Sequence, residues 1–235
     1  MLLAIAALSG IIADLSIMFY KETPYTDAPS ARSSPVMSII RNSYFKRLWV
    51  LECMFFFAMS IAWPYFSVVM IRRLHASKFE IAIQSMLLFS LGSIIQFFFG
   101  GLADRFGRKP VLAASRTALP SYPLLFMLAT HMGFIYVAAV IAGICNGLWM
   151  VASTAYILDI TREEERASAF AVFNTAIGFA TFFGSLLEGL LGEFLTQFYG
   201  VEDALIAVLL LSFTLKLASS LLYVTTKETR TPGRG

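Results

Sequence analysis

Histidine and cysteine are nearly missing from this chain, two of each in 235 residues, and charge is scarce, with Asp, Glu, Lys and Arg together at 14%. His75, His131, Cys53 and Cys145 are too few and too scattered for a zinc site, and both cysteines sit inside apolar runs, which excludes a disulfide framework. No glycine-rich loop ends in Lys followed by Ser or Thr, so nothing in the sequence supports a nucleotide-driven machine. No nucleophile stands near a base at catalytic spacing either. The reading is therefore of a non-enzyme with no cofactor and no metal.

Apolar residues are what the chain has in excess, at 58%, with a mean hydropathy of +0.73. A bilayer crossing needs about 20 consecutive apolar residues in a helix, because lipid offers the backbone no hydrogen-bond partners. The apolar runs predict spans at 1 to 20, 48 to 71, 79 to 103, 110 to 130, 132 to 158, 167 to 191 and 204 to 225. The fold class expected is thus all-α, a polytopic membrane protein with seven transmembrane helices, its partner the lipid bilayer. The first run has no basic leader and contains Asp14, so it reads as a retained helix and not as a signal peptide. Residues 21 to 47, rich in Pro, Ser, Thr and basic side chains, read as a loosely structured linker, and 226 to 235 as a tail.

Lys and Arg collect on one side of such a topology. That side holds thirteen: Lys21, Arg32, Arg41, Lys46, Arg47, Arg105, Arg108, Lys109, Arg162, Arg166, Lys227, Arg230 and Arg234; the other holds Arg72, Arg73 and Lys78. Basic residues are retained in the cytoplasm, so the reading is a multi-pass cell-membrane protein with its N-terminus outside and its C-terminus cytoplasmic. The net charge of +3 follows from that topology and gives no reason to expect nucleic acid. Arg116 and Lys216 fall inside spans and count for neither side. The Arg72, Arg73 pair has no topological explanation.

The densest information lies at residues 100 to 111, GGLADRFGRKPV, which set four charges in a turn between two apolar runs. So short a reversal needs a residue free to adopt positive φ, which Gly107 supplies, and Pro110 suits the first turn of the next helix. Gly, three residues, Asp, a basic residue, any residue, Gly, Arg, then a basic residue is a pattern met here by Gly100, Asp104, Arg105, Gly107, Arg108 and Lys109. This resembles the signature loop of the major facilitator superfamily of secondary transporters. The stretch DITREEER, Asp159 to Arg166, is similar to the charged loop of that family between the fourth and fifth helices of a half, and the expectation is an ionic cluster of Asp104, Arg108 and Asp159 acting as a gate.

The resemblance implies two six-helix halves joined by a long loop. One helix, a basic linker and then six helices with the signature between their second and third match the C-terminal half plus the helix before it. An internal echo agrees: the first span ends in YKET at Tyr20 to Thr23 and the last in TKET at Thr226 to Thr229. The domains expected are a helix at 1 to 20, a linker at 21 to 47, a six-helix transporter half at 48 to 225 and the tail. A partial chain is the expectation, completed by the missing N-terminal half or by a second copy.

Polar residues within spans face protein or water, since lipid would penalise them. Glu52, Trp63, Gln84, Asn146, Trp149, Ser153, Tyr156 and Asn174 are the candidates for a small-solute pathway. Glu52, Glu188 and Asp14 are the candidates for proton coupling. Lys216, midway along the last span, must find a partner or water, or deprotonate. Two other readings remain: a half-module or fragment without function until a partner completes it, and a seven-helix retinal-type receptor. Against the latter, Ser212 stands one turn before Lys216, where that resemblance requires Asp.

Overall fold

The computed structural model describes residue 15, residues 35–101, residues 105–226 and residue 228. The expected span at 1 to 20, with Asp14, lies outside these apart from Leu15, and so does Asp104 of the signature loop. The remaining elements are helical: α1 at Pro35–Arg41, α2 at Ser43–Val68 running into a π-helical turn at Val69–Arg73, α3 at Lys78–Phe98, α4 at Arg108–Ala118, α5 at Ser121–Met127, α6 at Met132–Ile160, a 3₁₀ turn at Glu163–Glu165, α7 at Arg166–Tyr199 and α8 at Val201–Tyr223. These elements fall in one packed unit, 33–235.

Five of these helices are long and apolar enough to cross a membrane: α2 with its π turn, α3, α6, α7 with the 3₁₀ turn, and α8. The expected span at 110 to 130 is not one helix but two, α4 and α5, broken at Leu119–Pro120. Proline lacks the N–H that would donate to the carbonyl four residues back. At Pro120 that orphan is Arg116 O, and Ser220 Oγ of α8 donates to it at 2.7 Å. At Pro123 it is Leu119 O, which instead accepts from Tyr122 N–H at 3.0 Å. Away from water, a broken helix is tolerated only where its freed carbonyls are satisfied in this way.

The helix starts follow local chemistry. Ser77 and Glu80 form a reciprocal capping box at α3, with Glu80 N–H donating to Ser77 Oγ at 3.2 Å and Ser77 N–H to Glu80 Oε2 at 2.8 Å. Asn42 Oδ1 accepts from Tyr44 and Phe45 N–H, so α2 begins five residues before the expected span, and with α1 ahead of it the second half of the expected loose linker is helical. Asn42 Nδ2 also donates to Ile160 O at 3.0 Å, tying that start to the end of α6. Helix α7 extends eight residues past the expected end at 191 and stops where Gly200 takes φ of 83°.

The closest pairings are α3 with α6 and α2 with α7, while α8 packs on α2. Small residues set the first of these: a Cβ on Gly147 would lie 2.7 Å from Gly92 O, and one on Gly143 would lie 2.7 Å from Leu88 O. Membrane helices gain van der Waals contact from such close approach, since lipid tails are as apolar as the helices themselves. Of the glycines along α7, Gly184 and Gly192 press on Ser60 and Tyr65 of α2, whereas Gly178 and Gly189 face open space. The core splits into two clusters, one around Phe55, Phe66, Phe126 and Val208 and one around Phe45, Leu48, Leu112 and Tyr156. Outward, α3 and α7 present large apolar side chains such as Phe89, Phe97, Phe179, Phe183 and Leu190.

Candidate functional site: an ionic clamp, a buried ion pair and a cavity

At the end of the bundle bearing the 100 to 109 loop, Gly107 has φ of 95° and precedes the first turn of α4. Arg108, almost fully buried, donates from Nε to Asp159 Oδ2 at 2.9 Å, joining the start of α4 to the end of α6. A third element completes the clamp. Glu228, beyond α8, accepts from the backbone N–H of Arg108 at 3.0 Å and of Lys109 at 3.1 Å. A carboxylate at these first N–H groups satisfies donors that no earlier turn can reach and meets the positive end of the helix dipole. Gly107 is required here twice over, because a Cβ on it would lie 2.8 Å from Glu228 Oε2.

The neighbouring charged residues divide by exposure. Arg105 stacks its guanidinium 5.6 Å from the Phe106 ring, both exposed. Glu163 and Glu164 are exposed, while Glu165 Oε1 accepts from Ser38 Oγ of α1. Arg166 opens α7, with its Nε buried and without a hydrogen-bond partner among the described residues. At the opposite end, Arg73 Nη1 donates to Met127 O at 2.8 Å, placing a cation on the C-terminus of α5 where the dipole favours it. That supplies a structural reason for one member of the unexplained Arg72, Arg73 pair.

Deeper in the bundle, Glu52 of α2 is fully buried and forms an ion pair with Arg116 of α4. Arg116 Nε lies 3.4 Å from Glu52 Oε1, and Trp149 Nε1 of α6 donates to the same oxygen at 2.7 Å. The guanidinium is sandwiched by aromatic rings, 4.1 Å from the centroid of Phe55 and 4.2 Å from that of Trp149. Tyr223, the last residue of α8, brings its hydroxyl beside the pair without reaching hydrogen-bond geometry. Three helices therefore converge on one carboxylate, and the charges neutralise each other where water does not reach.

Of the other pathway candidates, Trp63, Gln84 and Asn146 come together in the wall of a cavity with about 770 Å³ of empty space, its open mouth included. Ser67, Ser85, Tyr122 and Lys216 share that wall. Ser153 is buried and donates to Met150 O, Tyr156 is buried in the second core cluster, and Asn174 is exposed on α7. Glu188 lies apart from all of these, lining a shallow hollow with Tyr65, Glu193 and Gln197. Glu52 and Trp149 are not in the cavity wall; they face Arg116 instead.

The sequence profile of the Major Facilitator Superfamily matches residues 48–234. The chain belongs to the major facilitator superfamily. Among curated members of this superfamily it is 37% identical over 124 residues to a Na(+), Li(+), K(+)/H(+) antiporter of Planococcus maritimus, covering 49% of this chain and 29% of that protein. It is 32% identical over 127 residues to multidrug resistance protein 2 of Bacillus subtilis (strain 168), covering 53% and 32%, and 34% identical over 110 residues to the class C tetracycline resistance protein of Escherichia coli, covering 45% and 28%. The fold is similar to that of a bacterial homologue of the human lysosomal transporter Spinster, solved inward-facing and unoccupied, with a TM-score of 0.60 at 15% identity over 86% of this chain and 45% of that one. The matches span less than a third of each curated relative and less than half of the solved transporter. The antiporter and the Spinster homologue are transport proteins by name, and this superfamily member is a multi-pass membrane protein.

Two elements of this site carry a signal in the sequence that motif matching passes over. Arg116, a charge within an expected span, needs a counter-charge once buried, and Glu52 is the one buried carboxylate among the described residues. Glu228 belongs to the TKET echo. Its place just past the end of α8, on the basic side of the chain, puts it in reach of the first turn of α4.

Proposed function

We propose that the chain forms one six-crossing half of a secondary transporter that moves a small solute, driven by an ion gradient or by the solute's own. Membership of the superfamily over residues 48–234 is the observation that carries this reading. In this reading α4 and α5 together make one crossing, their combined 108–127 being about 30 Å long at 1.5 Å per residue. The first 20 residues add a seventh helix, 21 to 47 link it to the bundle, and 226 to 235 form the tail. The clamp of Arg108, Asp159 and Glu228 faces the cytoplasm, where Lys and Arg concentrate, and the N-terminus lies outside.

A second bundle, from the same polypeptide or from another copy, supplies the opposite wall of the pathway, since alternating access rocks one bundle against another. The aromatic outward faces of α3 and α7 are available to it and to lipid. The clamp holds the cytoplasmic ends of α4 and α6 together and so favours the state closed on that side. The names of the relatives, an ion–proton antiporter and two drug-resistance proteins, support gradient-driven exchange of small solutes. Proton coupling through Glu52 requires its pair with Arg116 to open; Glu188, in its open hollow, has no such pair among the described residues.

Transport in membrane vesicles carrying the chain tests this reading. With an imposed pH gradient, flux of K+, Na+ or tetracycline is expected to appear without ATP and to vanish on adding a protonophore. Flux that persists without any gradient of ion or solute, or that requires ATP, contradicts it.

A further inference from the structure

Lys216 stands midway along α8 and is 1% exposed, yet among the described residues its amine forms no hydrogen bond and no ion pair. The Phe55 and Phe66 rings lie 5.8 and 5.9 Å from Nζ, at the outer limit for a cation–π contact, and compensate little of its lost hydration. Glu52, the one buried carboxylate among the described residues, is committed to Arg116 and Trp149. The amine instead borders the cavity, whose wall comes from α2, α3, α5, α6, α8 and the α4–α5 junction, with no residue of α7. It is a space inside this half.

Other polar groups of that wall offer donors. Gln84 Nε2 donates to the Tyr122 hydroxyl oxygen at 3.3 Å, which leaves the Tyr122 proton free for another acceptor, and the Asn146 amide adds two more N–H groups. No acid among the described residues lines the cavity. Trp63, 57% exposed, and Phe66 supply an apolar wall. A cation, hydroxyl and amide donors, and aromatic walls without a lining acid among the described residues describe a receptor for one negative charge on an apolar body.

We propose that this cavity binds a small monoanionic organic solute, a carboxylate carried on an apolar body, with Lys216 as its counter-charge and Tyr122 and Asn146 as hydrogen-bond donors. The site goes beyond the carrier reading and does not depend on it, because binding is measured on the purified chain without any transport step.

Calorimetric titration of the full chain in detergent micelles, with benzoate as probe and benzamide as its neutral isostere, tests the site. Benzoate is expected to bind about tenfold or more tightly than benzamide, as charge-assisted hydrogen bonds imply. Lys216→Met should erase that preference while Lys216→Arg keeps it, and Tyr122→Phe should weaken benzoate about threefold and benzamide by less. The wild-type comparison needs no variant to fold. Equal binding of the two probes by the wild type, no binding of benzoate, or a preference that survives in a folded Lys216→Met chain overturns the proposal; gradient-driven transport would stand untouched by any of these.

Discussion

Glu52→Gln should lower the stability of the bundle by about 3 to 5 kcal/mol, because it leaves the Arg116 guanidinium buried with its counter-charge removed. The penalty is the desolvation of an uncompensated ion, and it exceeds the worth of the pair itself. Replacing both partners by apolar residues of similar size, Glu52→Leu with Arg116→Met, is therefore expected to recover most of the loss. The Trp149 N–H, which donates to Glu52 at 2.7 Å, is then unsatisfied and retains a cost of about 1 to 3 kcal/mol. Unfolding in mild detergent, followed by tryptophan fluorescence, measures all three chains. A single variant within about 0.5 kcal/mol of the wild type would contradict the burial of the pair, that being the range of an ordinary surface change.

Asp159→Asn and Glu228→Gln should each cost about 1.5 to 3 kcal/mol, the range for hydrogen bonds to a charged group. The two effects should not add, because Arg108 takes part in both contacts, through its side chain to Asp159 and its backbone N–H to Glu228. The consequence is local before it is global. Amide exchange over residues 105–112 should speed up in Glu228→Gln by about tenfold for each 1.4 kcal/mol lost, as the first turn of α4 loses the carboxylate that holds its N–H groups. Exchange unchanged in that variant would show that the carboxylate does not cap the helix.

What was readable in the sequence was the part governed by local chemistry. Gly107 and the charges around it mark a turn because a reversal needs positive φ and basic residues mark a membrane face, and Arg108 and Asp159 do meet there. The five long helices follow from run length alone. The break at Leu119–Pro120 was visible as two prolines three residues apart, but the apolar character of 110 to 130 masked it. Helix α7 runs on to Tyr199 because Glu193 and Gln197 are as compatible with a helix as apolar residues are, and hydropathy reports the bilayer rather than the helix. Partners far apart in the chain were out of reach: Glu52 and Arg116 are 64 positions apart on different helices, and no periodicity within either helix points to the other. Trp63, Gln84 and Asn146 share one cavity although they come from three helices, while Tyr156 and Asn174, chosen on the same criterion, point into the core and outward.

Thiol labelling from one side of the membrane tests the six-crossing half most directly. In a chain freed of Cys53 and Cys145, single cysteines replace five exposed residues: Phe106 and Glu164 at the clamp end, Lys78, Thr130 and Glu202 at the other. An impermeant maleimide applied outside intact cells is expected to label positions 78, 130 and 202 and to spare 106 and 164 until the membrane is opened. Labelling of 106 and 130 from the same side would show that α4 and α5 do not cross together, and would contradict the six-crossing half on which the transporter reading stands.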